Sequence, residues 1–389
     1  MKLGSFHRRK KAFIKDFKIF MMMVLFFRFK KRNFETSEIK NILIMRDNNK
    51  LGDMIIFTPL FRECHRLGLE VSVVTGAVCA ELIKENKNIK HIFVCKEKFF
   101  NMFSLALKLR KKKYDLVIDP LNEVHSYRSI MMMQVINPKH ILGFNKAGKY
   151  KTYDISLPED LSLNRHTSER TKSILRLLKP NIDLDEVDMS YDLPIPKDAD
   201  AIVRQYLERF SGRTTVLLNP FGALKTRKFS TAKINAIVDI IKQKIENPVI
   251  IISGLESEIK HIEIDGVEKT PFTRYIHATS LVKQVDYIVS VDTSIVHAAT
   301  AFNKPIVAFY PMSKTQINSQ PSTWGPNSEY AIQILSDTRN VEDIPDDKIK
   351  CAIENMLSMR KLKNGPTGPF FYINSLRSIF LRVRREECR

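Results

Sequence analysis

The chain has 389 residues, 44% of them hydrophobic and 27% charged, and a formal net charge of +20. That length exceeds one ordinary core and predicts two domains, while the composition excludes a disordered or fibrous chain. The charge does not describe a nucleic-acid-binding body: residues 1–40 hold 12 Lys/Arg against 3 Asp/Glu and residues 360–389 hold 8 against 2, so the basicity sits in two tails.

At the N-terminus, FKIFMMMVLFFRF (17–29) places an apolar run from Ile19 to Phe27 between HRRKK and RFKKR. A spanning helix needs about 20 apolar residues, and no small-residue cleavage site follows. The segment reads instead as an interfacial helix on anionic lipid. From residue 41 short β-rich runs alternate with helical stretches. NILIMR (41–46) leads through DNNKLGD into the helical MIIFTPLFRECHRLG, and VSVVTG, HIFVC, YDLVIDP and HILGF continue the strands. KLRKKK (108–113) is read as basic residues at a helix end, where they suit the dipole, and the Met triplets 21–23 and 131–133 as apolar filler. An acidic, proline-containing stretch at 181–200 reads as a connection.

The alternation resumes with TTVLLNP, a helix near 231–246, NPVIIISG, a helix after Glu256, DYIVSVD, a helix from about Ser294, and PIVAFY. The expected fold is α/β, with two doubly wound parallel sheets. The expected organisation is a 1–36 extension, domains at 37–180 and 201–356, and a 357–389 tail. In that tail Ile373, Leu376, Phe380 and Val383 fall near helical spacing among arginines, a second candidate lipid contact. The five cysteines lack CxxC spacing and predict a reduced, cytosolic setting.

Polar clusters fall where strands end: KLGD, LNPFGALKTRK, SGLESE and DTSIVH. Ligands of doubly wound sheets sit at such carboxyl ends. Asp292, Thr293 and Ser294 are positioned to cap a helix, and the same helix start suits a diphosphate, with His297 one turn further on. No G-x-G-x-x-G follows the first strand, which excludes the usual nicotinamide-binding fingerprint.

Four blocks then carry a resemblance: NILIMRDNNKLGDMIIFTPL, YDLVIDP, LLNPFGALKTRKFS, and VDTSIVHAATAFNKPIVAFY with a later WGP at 324–326. The chain resembles glycosyltransferase family 9, the ADP-heptose:lipopolysaccharide heptosyltransferases. The resemblance implies a GT-B architecture of two Rossmann-like domains facing a cleft, with acceptor in the first and nucleotide-sugar in the second. Asp53 matches the catalytic carboxylate, a general base for an inverting attack, and Gly52 before it an acceptor-side glycine. Lys228 matches the lysine that neutralises the donor diphosphate, with Lys225 a nearby candidate. Gly254 and Glu258 match a GxxxE pattern for the ribose, with Glu256 competing. Asp292, Thr293 and His297 match a DTGxxH motif in which Ser294 stands for the usual Gly.

The resemblance further implies no cofactor or metal beyond the donor, either ADP-heptose or another nucleotide-hexose. The acceptor would be the lipid A-linked core. The enzyme would then be cytoplasmic, held at the inner membrane's anionic surface by its terminal extensions, with no nucleic-acid partner.

Overall fold

The computed structural model describes residues 14, 17–22, 24–26, 33–121, 127–146, 152–159, 165–312 and 321–363, apart from the side chains of 321–322 and 360–363. The C-terminal helical pattern at 373–383 and the basic flanks of the N-terminal run lie outside them. Two compact units divide the chain. The first runs to Pro194 except for 164–166; those three and everything from Ile195 form the second.

In the first unit, β1 (Asn41–Arg46), β2 (Glu70–Thr75), β3 (His91–Val94), β4 (Leu116–Ile118), β5 (His140–Phe144) and β6 (Ile155–Leu157) make one sheet in the order β3-β2-β1-β4-β5-β6. Every pairing is parallel. The second unit repeats the plan with β7 (Thr215–Asn219), β8 (Val249–Ile252), β9 (Val267–Lys269), β10 (Tyr287–Val291), β11 (Ile306–Tyr310) and β12 (Ala331–Leu335). Its order β9-β8-β7-β10-β11-β12 is the same doubly wound arrangement, again all parallel. In each sheet the strand order reverses beside the first strand, between β1 and β4 and between β7 and β10.

Helices on both faces explain why the central strands are apolar throughout. The period-two alternation of a strand sorts side chains between them. Ile42 and Ile44 point into one core with Leu60, Phe61, Ile174 and Leu175, whereas Leu43 and Met45 point into another with Met102, Ala106 and Met131 to Met133. Each fully buried aliphatic side chain contributes roughly 1.5–3 kcal/mol over an exposed one. The strands missing from the sequence reading are β6, β9 and β12, all at or towards sheet edges. The residues of β6 and β9 are half buried and those of β12 range from buried to exposed, so no continuous buried run marks them.

Two differences bear on the site. The helical stretch expected from Met54 is two helices, α1 (Leu51–Ile56) and α2 (Thr58–Arg66). Pro59 has no N–H to bond the Ile55 carbonyl, and the Thr58 hydroxyl donates to that carbonyl at 2.7 Å instead. Because α1 begins at Leu51, Gly52 and Asp53 stand in its first turn and not in a preceding loop. Residues of the expected connection are also anchored to the first unit: Arg62 donates to the Ser190 carbonyl at 3.0 Å, and Thr58 Oγ1 accepts from the Asp192 amide at 2.8 Å. Among the described residues no helix is long and apolar enough to cross a membrane.

Candidate active site

The first unit's cluster grows from the end of β1. Arg46, its last residue, is 1% exposed, and a charge buried to that degree is costly unless it is paired. One Nη donates to Asp53 Oδ2 at 2.7 Å, and the guanidinium carbon lies 5.8 Å from the Phe57 ring centre. Its Nε and other Nη have no hydrogen-bond partner among the described residues. The intervening loop is fixed by its own asparagines: Asn48 Oδ1 accepts from the Lys50 amide and Asn49 Oδ1 from the Val78 amide, both at 3.1 Å. Gly76 is required here, because a Cβ would lie 2.2 Å from the Asn49 side chain. Asp53 therefore projects from a helix start whose position is set by a buried cation, with Oδ1 uncommitted among the described residues.

Beside it, past the end of β4, Asp119 is fully buried. It accepts from the Tyr153 hydroxyl at 2.6 Å and the Leu121 amide at 3.0 Å, with Lys146 Nζ at 3.8 Å.

The second unit's cluster forms around the end of β7. The segment after Asn219 doubles back: Phe221 bridges Lys228, and the Gly222 amide bonds the Arg227 carbonyl at 2.7 Å. A Cβ on Gly222 would sit 2.7 Å from that carbonyl oxygen, so the turn needs glycine. It presents Arg227 to Asp292, just past β10, at 2.8 Å, and Lys228 to Glu258 in an ion pair. Burial pushes the Asp292 carboxyl above the ordinary carboxylate range, and Arg227 opposes that rise.

Thr293 caps α11 (Ser294–Ala301): its Oγ1 accepts from the Ile295 amide at 3.3 Å and from Asn219 Nδ2 at 2.9 Å. Asn219 donates equally to Ser290 Oγ, tying β7 to β10 at the order reversal. Glu258, Lys228, Arg227, Asp292, Thr293 and Asn219 thus form one group around the first turn of α11, with two half-exposed cations.

The sequence candidates separate on this geometry. Lys228, Glu258, Asp292 and Thr293 come together, and Ser294 follows as the first residue of α11. Of the two rival glutamates, Glu258 reaches the cluster; Glu256 is exposed. Lys225 is exposed in a short 3-10 turn and makes no ion pair among the described residues. Gly254 is half buried where a Cβ would meet the Phe221 ring at 2.8 Å, a packing reason for glycine. His297, one turn into α11, is 6% exposed, because most of that helix's side chains are buried within the unit. Arg46, Arg227 and Asn219 were missed. Their signals were slight: a charge closing an apolar strand, the residue before Lys228, and an Asn-Pro after a strand.

The sequence profile of glycosyltransferase family 9 (heptosyltransferase) matches residues 102–356. An Escherichia coli K12 protein named "Putative lipopolysaccharide heptosyltransferase 4" is 33% identical over 365 residues, 93% of this chain and all of that one. The chain belongs to glycosyltransferase family 9. Two solved structures share its fold. A family 9 glycosyltransferase from Veillonella parvula superposes with TM-score 0.67 at 15% identity, covering 82% of this chain and 97% of that one. The E. coli ADP-heptose lipopolysaccharide heptosyltransferase II superposes with TM-score 0.65 at 17% identity, covering 83% and 100%. The protein is therefore a glycosyltransferase of the GT-B kind, and both clusters stand at the order reversals of its two Rossmann-like units.

Proposed function

We propose that this family 9 transferase moves heptose from ADP-heptose to the inner core of lipopolysaccharide, with inversion and without a metal ion, at the cytoplasmic face of the inner membrane. The observation that carries the reading is the grouping of Arg227 and Lys228 with the capped start of α11. Half-exposed cations beside the positive end of a helix are what a sugar diphosphate requires. The relatives' names supply the heptose and the lipopolysaccharide.

In this reading the acceptor oxygen attacks the anomeric carbon and its proton passes to Asp53 Oδ1. The carbon–oxygen bond to the diphosphate breaks with its electron pair going to ADP. Lys228 and Arg227 take over that charge, releasing Glu258 and Asp292 from their present pairs, and the amides of α11 add to them. Freed Glu258 is then placed to accept from ribose hydroxyls. Gly52 keeps the backbone beside Asp53 open to the acceptor.

Calorimetric titration with ADP-heptose, ADP and UDP tests this. Binding of ADP-heptose that persists in Asp53→Ala, weakens in Lys228→Ala and is indifferent to chelator is the expected result. A second reading, transfer of another nucleotide-hexose, draws on Ser294 standing where the family has Gly; preference for UDP would select it. Absence of any nucleotide binding would overturn both.

A further inference from the structure

The first unit carries an exposed apolar face that has no partner among the described residues. Helical residues near the N-terminus, 17–22 and 24–25, turn Ile19 into the first unit's core, with Met22 and the following Phe26 packed against it. The opposite side leaves Phe17, Phe20, Val24 and Leu25 between 55% and 61% exposed. A helix apolar on all sides is normally covered on all sides. The neighbouring helix α4 (Phe99–Arg110) repeats the pattern. Met102, Ala106 and Leu109 face inward, while Phe100 is 81% and Leu107 43% exposed. Phe103 lies between those two on the helix, partly buried, and its ring centre is 5.6 Å from that of Phe26, so the two helices pack against each other beneath their exposed residues.

Charge identifies what covers this face. Residues 96–113, which contain α4, hold seven Lys/Arg and one acidic residue, and all seven are exposed. Lys96 and Lys98 flank the Phe100–Leu107 stripe at one end, and Lys108 to Lys113 at the other. A second copy of the chain would bring like charge against like. Exposed aromatic and aliphatic side chains bordered by lysines are what the interface of an anionic bilayer accepts.

We propose that the N-terminal helical segment and α4 form one composite lipid-binding surface. Phe17, Phe20, Phe100 and Leu107 insert at the headgroup boundary, and the lysines of 96–113 hold anionic headgroups. The basic end of α4 is then part of a membrane contact, beyond the dipole role its position suggests, and the contact belongs to the folded unit as well as to a tail. This does not rest on the identity of the donor or acceptor.

Co-sedimentation of the full chain tests it, using vesicles of phosphatidylethanolamine with phosphatidylglycerol and vesicles of phosphatidylcholine alone. The unmodified chain should prefer the anionic vesicles. Phe100→Ser with Leu107→Ser should weaken that binding by about tenfold or more, and Lys108→Glu with Lys111→Glu should remove the anionic preference. All these side chains are exposed, and nucleotide titration of each variant reports whether the fold is kept.

Undiminished vesicle binding in both α4 variants would overturn the composite surface. So would a concentration-dependent dimer that Phe100→Ser/Leu107→Ser dissolves, or binding of an oligonucleotide in preference to anionic vesicles. Lipid binding without nucleotide binding in the unmodified chain would overturn the transferase reading and leave this one standing.

Discussion

The two order reversals are topological twins with opposite electrostatic character. At the first, Arg46, Asp119 and Lys146 are 1%, 0% and 3% exposed, and their charges are consumed by one another and by Asp53 and Tyr153. At the second, the side chains of Arg227 and Lys228 are 27% and 37% exposed, and each is held by a single carboxylate that an incoming anion can replace. One strand order therefore serves two tasks. In the proposed reading the first unit offers one carboxylate, Asp53, 17% exposed, on a rigid buried base. The second offers adjustable cations at a helix start. The former suits proton transfer, which depends on aim, and the latter suits binding of a charged leaving group.

The largest expected effect lies in the first unit. Asp53→Asn should lower kcat by about 10²–10⁴-fold, the usual worth of a general base, while nucleotide affinity holds. The same change strips a buried guanidinium of its counter-charge, which costs about 3–5 kcal/mol of stability. Arg46→Met added to Asp53→Asn should restore much of the melting temperature and none of the activity. If activity returned with stability, Asp53 would be a scaffold residue and the contrast between the units would fail.

Next comes the second unit. Lys228→Ala should raise the nucleotide Kd by about 10–100-fold, the loss of one charge-assisted contact. Arg227→Ala should act in the same direction but also alter the fold locally, because Asp292 is buried and loses its partner. Its raised carboxyl would then stay protonated to higher pH, so the defect should deepen as pH rises and Asp292 ionises unpaired. A defect confined to kcat in either variant would move these cations out of the binding role.

Much of this was legible beforehand, for physical reasons. Central parallel strands are apolar on both faces, so NILIMR, TTVLL and DYIVSV read as strands without knowledge of their neighbours. The DTSIVH and TRKF stretches stood out because they interrupt such runs with polar residues at carboxyl ends. Edge strands such as VEK at 267–269 have only half-buried positions and no such run. The partners of the site residues were hidden for a different reason. Arg46 meets Asp53 only because α1 begins at Leu51, and Arg227 meets Asp292 only because Gly222 lets the loop fold back. Neither event has a period or spacing to detect. The burial of His297 was likewise hidden, because it depends on the packing around α11 and not on any local pattern.

The smallest effect probes the second unit's frame, away from its adjustable cations. Asp200, on α7 (Lys197–Glu208), accepts from Lys283 Nζ at 2.8 Å and Ser280 Oγ at 2.9 Å on α10 (Tyr275–Gln284). Burial alone would raise its carboxyl, but these donors and Gln284 hold it below the ordinary aspartate range. A depressed folded-state value means that the ionised form stabilises the fold above the unfolded-state pKa. That stabilisation is lost as pH falls through the folded-state value. Asp200→Asn should therefore cost about 1–2 kcal/mol at neutral pH, seen as a lower midpoint in urea. The gap from the unmodified chain should narrow as pH drops below the usual carboxylate range. Nucleotide affinity should not change, since this pair fixes helix against helix and the proposed donor contacts lie at the strand ends. A gap that persisted into acid would show that shape, not charge, holds α7 to α10. A change in nucleotide affinity would show that the frame and the cations of the second unit are one system, and not the two separable layers its geometry describes.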